Sequence, residues 1–112
     1  MKYKIVLVPF PFDDLSSSKV RPAVCLTNEI EPYGHIVLAF ITSNTSTIPS
    51  DTDLAINSHD TDFDQTGLKV SSTVRLHRLM TVSKAVIQRR LGELSNNQQK
   101  DIDYRLRTLF GL

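Results

Sequence analysis

The chain has 112 residues, 40% of them hydrophobic, with 13 Lys and Arg against 12 Asp and Glu, for a formal net charge of +1. That length and composition predict one compact domain spanning 1–112, not two domains or a disordered tail, and the balanced charge means that any anion site must come from local clustering. The longest apolar runs, around Ile5–Pro9 and Ala23–Leu26, fall far short of the ~20 residues of a membrane helix, and the lone Cys25 excludes an internal disulfide framework or a Cys-based zinc cluster.

In chain order, the first predicted element is a strand over Tyr3–Pro9. The opening KYKIVLVPFPFDD has no small-residue cleavage site, and Pro9 and Pro11 break any long apolar region. It therefore reads as the first strand of a cytoplasmic protein and not as a leader. A polar loop, Pro11–Val20, follows and leads into Arg21-Pro22. Pro22 cannot donate a ladder hydrogen bond, so it marks a strand start or edge and leaves Arg21 at the rim beside the loop. Strands are predicted over Pro22–Asn28, with Cys25 as a small core residue, and over His35–Thr42. Pro32 and Gly34 turn the chain between them. A short strand over Asp53–Ile56 precedes the acidic stretch DTDFDQTG. Residues 51–68 carry five Asp and no Lys or Arg, whereas 69–112 carry nine basic and three acidic groups. Asp60, Asp62 and Asp64 imitate the start of a calcium loop, but Gln65 and Ser71 stand where its glycine and glutamate belong, so the stretch reads as a mobile, solvated loop, with a protein-binding acidic loop as the alternative.

A strand over Ser71–Leu79 divides by period two into Ser72, Val74 and Leu76 on one face and Ser71, Thr73, Arg75 and His77 on the other. Hydroxyls, a guanidinium and an imidazole in register fit anion recognition with proton transfer; a solvated strand face carries the same residue types. A short strand is predicted around Val86–Leu91. The period then changes: Ser95 and Gln98 form a capping box, Ile102, Leu106, Leu109 and Phe110 fall on one helical face, and Gly111 ends the helix. The expected fold is mainly β, a small SH3-like barrel of five to seven strands with a C-terminal α-helix.

No HExxH, GxSxG, GxGxxG or GK[ST] motif is present. However, VLVPFPFDDLSSSKVRPAVCLT, the later FITS, and GLKVSSTVRLHRL followed by LGELS and a terminal helix resemble the MazF/PemK family of toxins from type II toxin–antitoxin modules. The resemblance runs in order over nearly the whole chain. It implies an SH3-like barrel, a homodimer, and metal-independent, cofactor-free, sequence-specific cleavage of single-stranded RNA, with 2′,3′-cyclic phosphate as the product. It also implies a cognate antitoxin, a small acidic protein that occupies the RNA groove. Arg21, in the matching RP step, would take the family's catalytic arginine role, and Thr42 would hydrogen-bond the scissile phosphate. Arg75 falls where some members use an arginine for phosphate contact and acid chemistry. His77 stands where the family commonly has Asp, and an imidazole can serve as acid or base near neutrality. Asp13, Ser16, Ser17, Ser18 and Lys19 would belong to the loop that grips RNA, with Ser71 and Thr73 as further RNA contacts. The family's usual Gly-Asp before the first strand is replaced here by Tyr3-Lys4. Two other readings remain: a non-catalytic nucleic-acid- or protein-binding module derived from such a toxin, and a toxin acting on a target other than RNA.

Overall fold

In a computed structural model, which describes residues 1–9, 19–44 and 49–112, six strands and one helix follow one another along the chain. The strands are β1 (Lys4–Pro9), β2 (Val20–Cys25), β3 (His35–Thr42), β4 (Asp53–Ile56), β5 (Ser72–Ser83) and β6 (Arg89–Glu93), and the helix is α1 (Asn96–Phe110). They form one antiparallel sheet in the order β4-β5-β3-β2-β1-β6, curled into a half-barrel. This is the mainly β architecture with a C-terminal helix that the spacing of apolar runs predicts.

Alternating side chains supply two apolar layers because successive residues of a strand face opposite ways. Ile5, Val24, Ala39, Ile41, Leu54, Ile56, Val74 and Leu76 fill the layer beneath the helix, together with Ile102 from α1. Val6, Val8, Ala23, Cys25, Ile36, Leu38, Phe40 and Val82 form the second layer on the opposite face. Cys25 has no exposed surface, as its apolar strand suggests.

The helix begins as its sequence requires. Ser95 Oγ accepts the Gln98 N–H at 3.1 Å, and Gln98 Oε1 accepts the Ser95 N–H at 2.8 Å, completing the capping box. Gly111, at φ 69°, closes the other end. Of the predicted apolar face, Ile102 is fully buried and worth ~1.5–3 kcal/mol of burial. Leu106 and Leu109 pack partly against this core, but Phe110 points to solvent.

The acidic stretch is built into the fold and is not a loose loop. Phe63 and Thr66 are buried, a short 3-10 turn spans Asp64–Thr66, and Asp62 accepts the Ser95 hydroxyl at 2.6 Å. This turn closes the half-barrel against β6. A Cβ at Gly67 would strike the Leu91 carbonyl, and one at Gly92 would strike the Gln65 carbonyl, so two glycines let the backbones touch. Gly67 also sits at φ 72°, in the left-handed region.

Strand limits depart from the sequence reading where pairing overrides local composition. β2 starts at Val20 because Val20 and Arg21 already pair with Pro9 and Val8, and it ends at Cys25. β5 runs on to Ser83 because β3 pairs with it as far as His35 opposite Ser83. Val86 lies in a 3-10 turn capped by Ser83, and the last strand begins only at Arg89.

Candidate active site

Three adjacent strands bring the charged residues together. Ala23 of β2 pairs with Phe40 of β3, so two residues further along Arg21 comes beside Thr42. Thr42 in turn pairs with Thr73 of β5, and Ile41 with Val74, which puts Arg75 next in line. The resulting cavity, about 320 Å3, is lined by Arg21, Phe40, Ile41, Thr42, Ser43, Asn44, Arg75 and Arg78. Among these described lining residues are three guanidinium groups and no carboxylate, a composition suited to an anion. Thr42 Oγ1 accepts the Asn44 N–H at 3.1 Å and so helps to shape the chain where it leaves β3.

β5 owes its shape here to an interruption of its ladder. Ile41 pairs with Val74, but Ala39 pairs with Leu79, so two steps along β3 correspond to five along β5. Residues 75–78 bulge from the β3 ladder, and such irregularities re-aim side chains. The period-two reading put His77 beside Arg75; the bulge breaks that period. Arg78 lines the cavity, while His77 is exposed and lines neither this cavity nor the one described next.

A second cavity of about 370 Å3 lies across Arg21 from the first and shares Arg21, Ile41 and Ser43 with it. Its walls are more apolar, from Leu7, Pro22, Leu68, Val70 and Leu91, with Lys69 and Arg89 as cations and Ser72 as a hydroxyl. Of the two further contacts expected on β5, Thr73 is only 5% exposed and lines neither cavity. Ser71 instead bonds Ser58, accepting its N–H at 2.9 Å. Ser72, which periodicity sets on the face of Val74 and Leu76, lines the second cavity at the start of the strand. Lys19 lies exposed just before β2, and Asp13, Ser16, Ser17 and Ser18 lie outside the described residues.

Behind Arg75 stands a residue that the sequence reading did not single out. Asp53 pairs with Arg75 across the β4–β5 ladder, and its Oδ2 lies 3.8 Å from Arg75 Nη1. Asp53 is 4% exposed. The only sequence signal for it was an acid opening an apolar strand, IPSDTDLAI.

A family profile described as PemK-like, MazF-like toxin of type II toxin–antitoxin system matches residues 1–110. No curated protein is significantly similar in sequence. Among solved structures, the chain is similar to a mycobacterial endoribonuclease in complex with its cognate antitoxin, with a TM-score of 0.75 at 18% identity over 100% of this chain and 95% of that one. It is also similar to the Mycobacterium tuberculosis toxin MazF-mt6, at 0.73 and 20% identity over 97% of each chain. MazF from Deinococcus radiodurans gives 0.72 at 18% identity over 99% of this chain and 96% of that one. At such identities the likeness to these structures is one of fold.

Proposed function

Because the chain belongs to the PemK-like, MazF-like toxin family of type II toxin–antitoxin systems, we propose that it is a metal-independent endoribonuclease that cuts single-stranded RNA, mRNA in particular, and so arrests translation. The observation that carries this reading is the meeting of Arg21, Thr42 and Arg75, from three different strands, at one cationic cavity. In the proposed reaction the ribose 2′-hydroxyl attacks the adjacent phosphorus. The P–O2′ bond forms as the P–O5′ bond breaks, a base takes the hydroxyl proton, and an acid delivers one to the departing 5′-oxygen. The products are a 2′,3′-cyclic phosphate and a free 5′-hydroxyl.

Charge builds on the non-bridging oxygens in the transition state, and fixed guanidinium groups are worth most against charge that develops there. Arg21 and Arg75 take that role, with Thr42 donating a hydrogen bond to the same phosphate. His77 lies outside the cavity, so the reading rests on the other three residues. The need for a 2′-hydroxyl makes DNA a non-substrate. The second cavity, apolar with cations at its edge, suits a neighbouring base and its phosphate. Lys19 and the loop residues Asp13 and Ser16–Ser18 add contacts to the RNA.

The partner in this reading is an antitoxin, a short acidic chain that folds across the cationic trough and blocks it. The mycobacterial relative is described with its cognate antitoxin, which supports this expectation. The toxin itself acts as a homodimer in the cytoplasm, and light scattering at micromolar concentration should give twice the chain mass.

The test is to incubate the purified chain with a long single-stranded RNA in excess EDTA, beside Arg21→Ala, and to sequence the new 5′ ends. Cleavage should recur at one short motif, and Arg21→Ala should lower the rate by roughly 100- to 1000-fold. A DNA of the same sequence should stay intact. If the folded, partner-free chain left the RNA whole, the reading would give way to a non-catalytic binding module.

A further inference from the structure

We propose that Asp53 is a positioning residue, which holds the Arg75 guanidinium at the cavity wall and so fixes where the charge meets the phosphate. The inference deepens the cleavage reading and rests on it for one of its two measurements. It starts from a carboxylate whose placement has no sufficient structural reason. Asp53 opens β4, an edge strand, yet is almost fully covered. Its Oδ2 accepts the Ser50 N–H at 3.0 Å, while Oδ1 is buried with no hydrogen-bond partner. An asparagine would serve the Ser50 N–H equally well without burying a charge, and burying a half-satisfied carboxylate is unfavourable unless a cation answers it. The cation is Arg75, whose Nη1 stands 3.8 Å from Oδ2. At that separation the contact is a charge pair and not a hydrogen bond, so it orients the guanidinium without occupying one of its donors.

The sheet sets the two residues against each other. Arg75 is the first residue of the stretch that has left the β3 ladder, so β4 is its remaining strand neighbour. On that side it faces Asp53 directly, and the Leu76 N–H bonds the Thr52 carbonyl at 3.2 Å just beyond. Asp53 thus adds a charge contact to the guanidinium on the side where Arg75 keeps a paired strand. A guanidinium aimed before the substrate arrives needs no reorganisation during the reaction.

Asp53→Asn tests the assignment, because it keeps the shape and the Ser50 contact while removing the charge; Asp53→Ser, whose hydroxyl can also accept that N–H, is the second variant. The thermal midpoint and circular dichroism should stay near wild type. On an RNA with one cleavage site, kcat should fall about 10- to 100-fold, the scale of a displaced reacting group. In an Arg75→Gln background the same substitution should cost nothing further, since the guanidinium it acts through is gone. The second measurement needs no cleavage: the 15N heteronuclear NOE at Arg75 Nε should drop from a rigid to a mobile value in Asp53→Asn. Unchanged kcat in the variants, a loss of equal size in the Arg75→Gln background, or an unchanged Nε NOE would each overturn the proposal. A wild-type chain that fails to cut RNA would remove the cleavage reading alone, and the Nε NOE would still decide whether Asp53 positions Arg75.

Discussion

Cys25 sits on β2 within the second apolar layer, and burial pushes its thiol up to about 11. Since the thiolate is the reactive form, only roughly one molecule in a thousand carries it at pH 8. The native chain should therefore resist iodoacetamide at that pH and take up one equivalent once unfolded in guanidinium, which mass spectrometry reads directly. Tyr3 is a second residue under constraint. It holds φ 70°, a conformation that costs a non-glycine residue about 1–2 kcal/mol. Its N–H bonds the Cys25 carbonyl at 2.7 Å, and its hydroxyl donates to Asp103 at 2.7 Å, so backbone and side chain are both held by tertiary contacts.

That Tyr3–Asp103 contact ties β1 to α1 and makes the docking of the helix sensitive to alkali. Burial first, and then the Asp103 hydrogen bond, push the Tyr3 phenol above its ordinary 10.0. The fold thus favours the protonated phenol. The stability it adds is whole below pH 10 and is lost as pH rises through the raised value, where a phenolate would face a carboxylate. Wild type should lose stability more steeply above pH 10 than Tyr3→Phe, and thermal midpoints measured between pH 7 and 11 would show it. The helix was legible in the sequence because its capping box, apolar spacing and terminal glycine are all local signals. The first strands were legible for the same reason, through β-branched runs bounded by proline and glycine. The bulge in β5 was not, because it is set by the register in which β3 pairs with β5 on either side of residues 75–78, a long-range match that no local pattern encodes. Arg21, Thr42 and Arg75 could be picked out from motif and strand position, but Asp53 could not. Its significance lies in the register that sets it opposite Arg75, and no local pattern encodes that register.

Across the whole molecule the charges are sorted more sharply than the net value of +1 suggests. Much of the acidic segment is spent internally: Asp53 answers Arg75, Asp60 accepts the Asn57 N–H, and Asp62 accepts the Ser95 hydroxyl. The trough along Arg21 keeps Arg75, Arg78, Lys69 and Arg89 on its walls. Binding of a single strand there should release counterions, so log K should fall linearly with log salt by about 0.7 per neutralised phosphate. Fluorescence anisotropy with a 2′-deoxy-substituted RNA, which cannot react, gives that slope, and Arg78→Gln should reduce it by about 0.7 if Arg78 meets one phosphate. An unchanged slope would place the strand away from this wall.

The strand order also has a bearing on the chain's own synthesis. β1 sits between β2 and β6, the last strand to be made, and the cavity draws Arg21 and Thr42 from the first half of the chain but Arg75 from the second. A polypeptide emerging from the ribosome therefore carries its first cationic residues long before it has a cavity to place them in. Until β5 has been made, the growing chain has Arg21 and Thr42 but not Arg75, and the three-strand cavity is a property of the later chain alone.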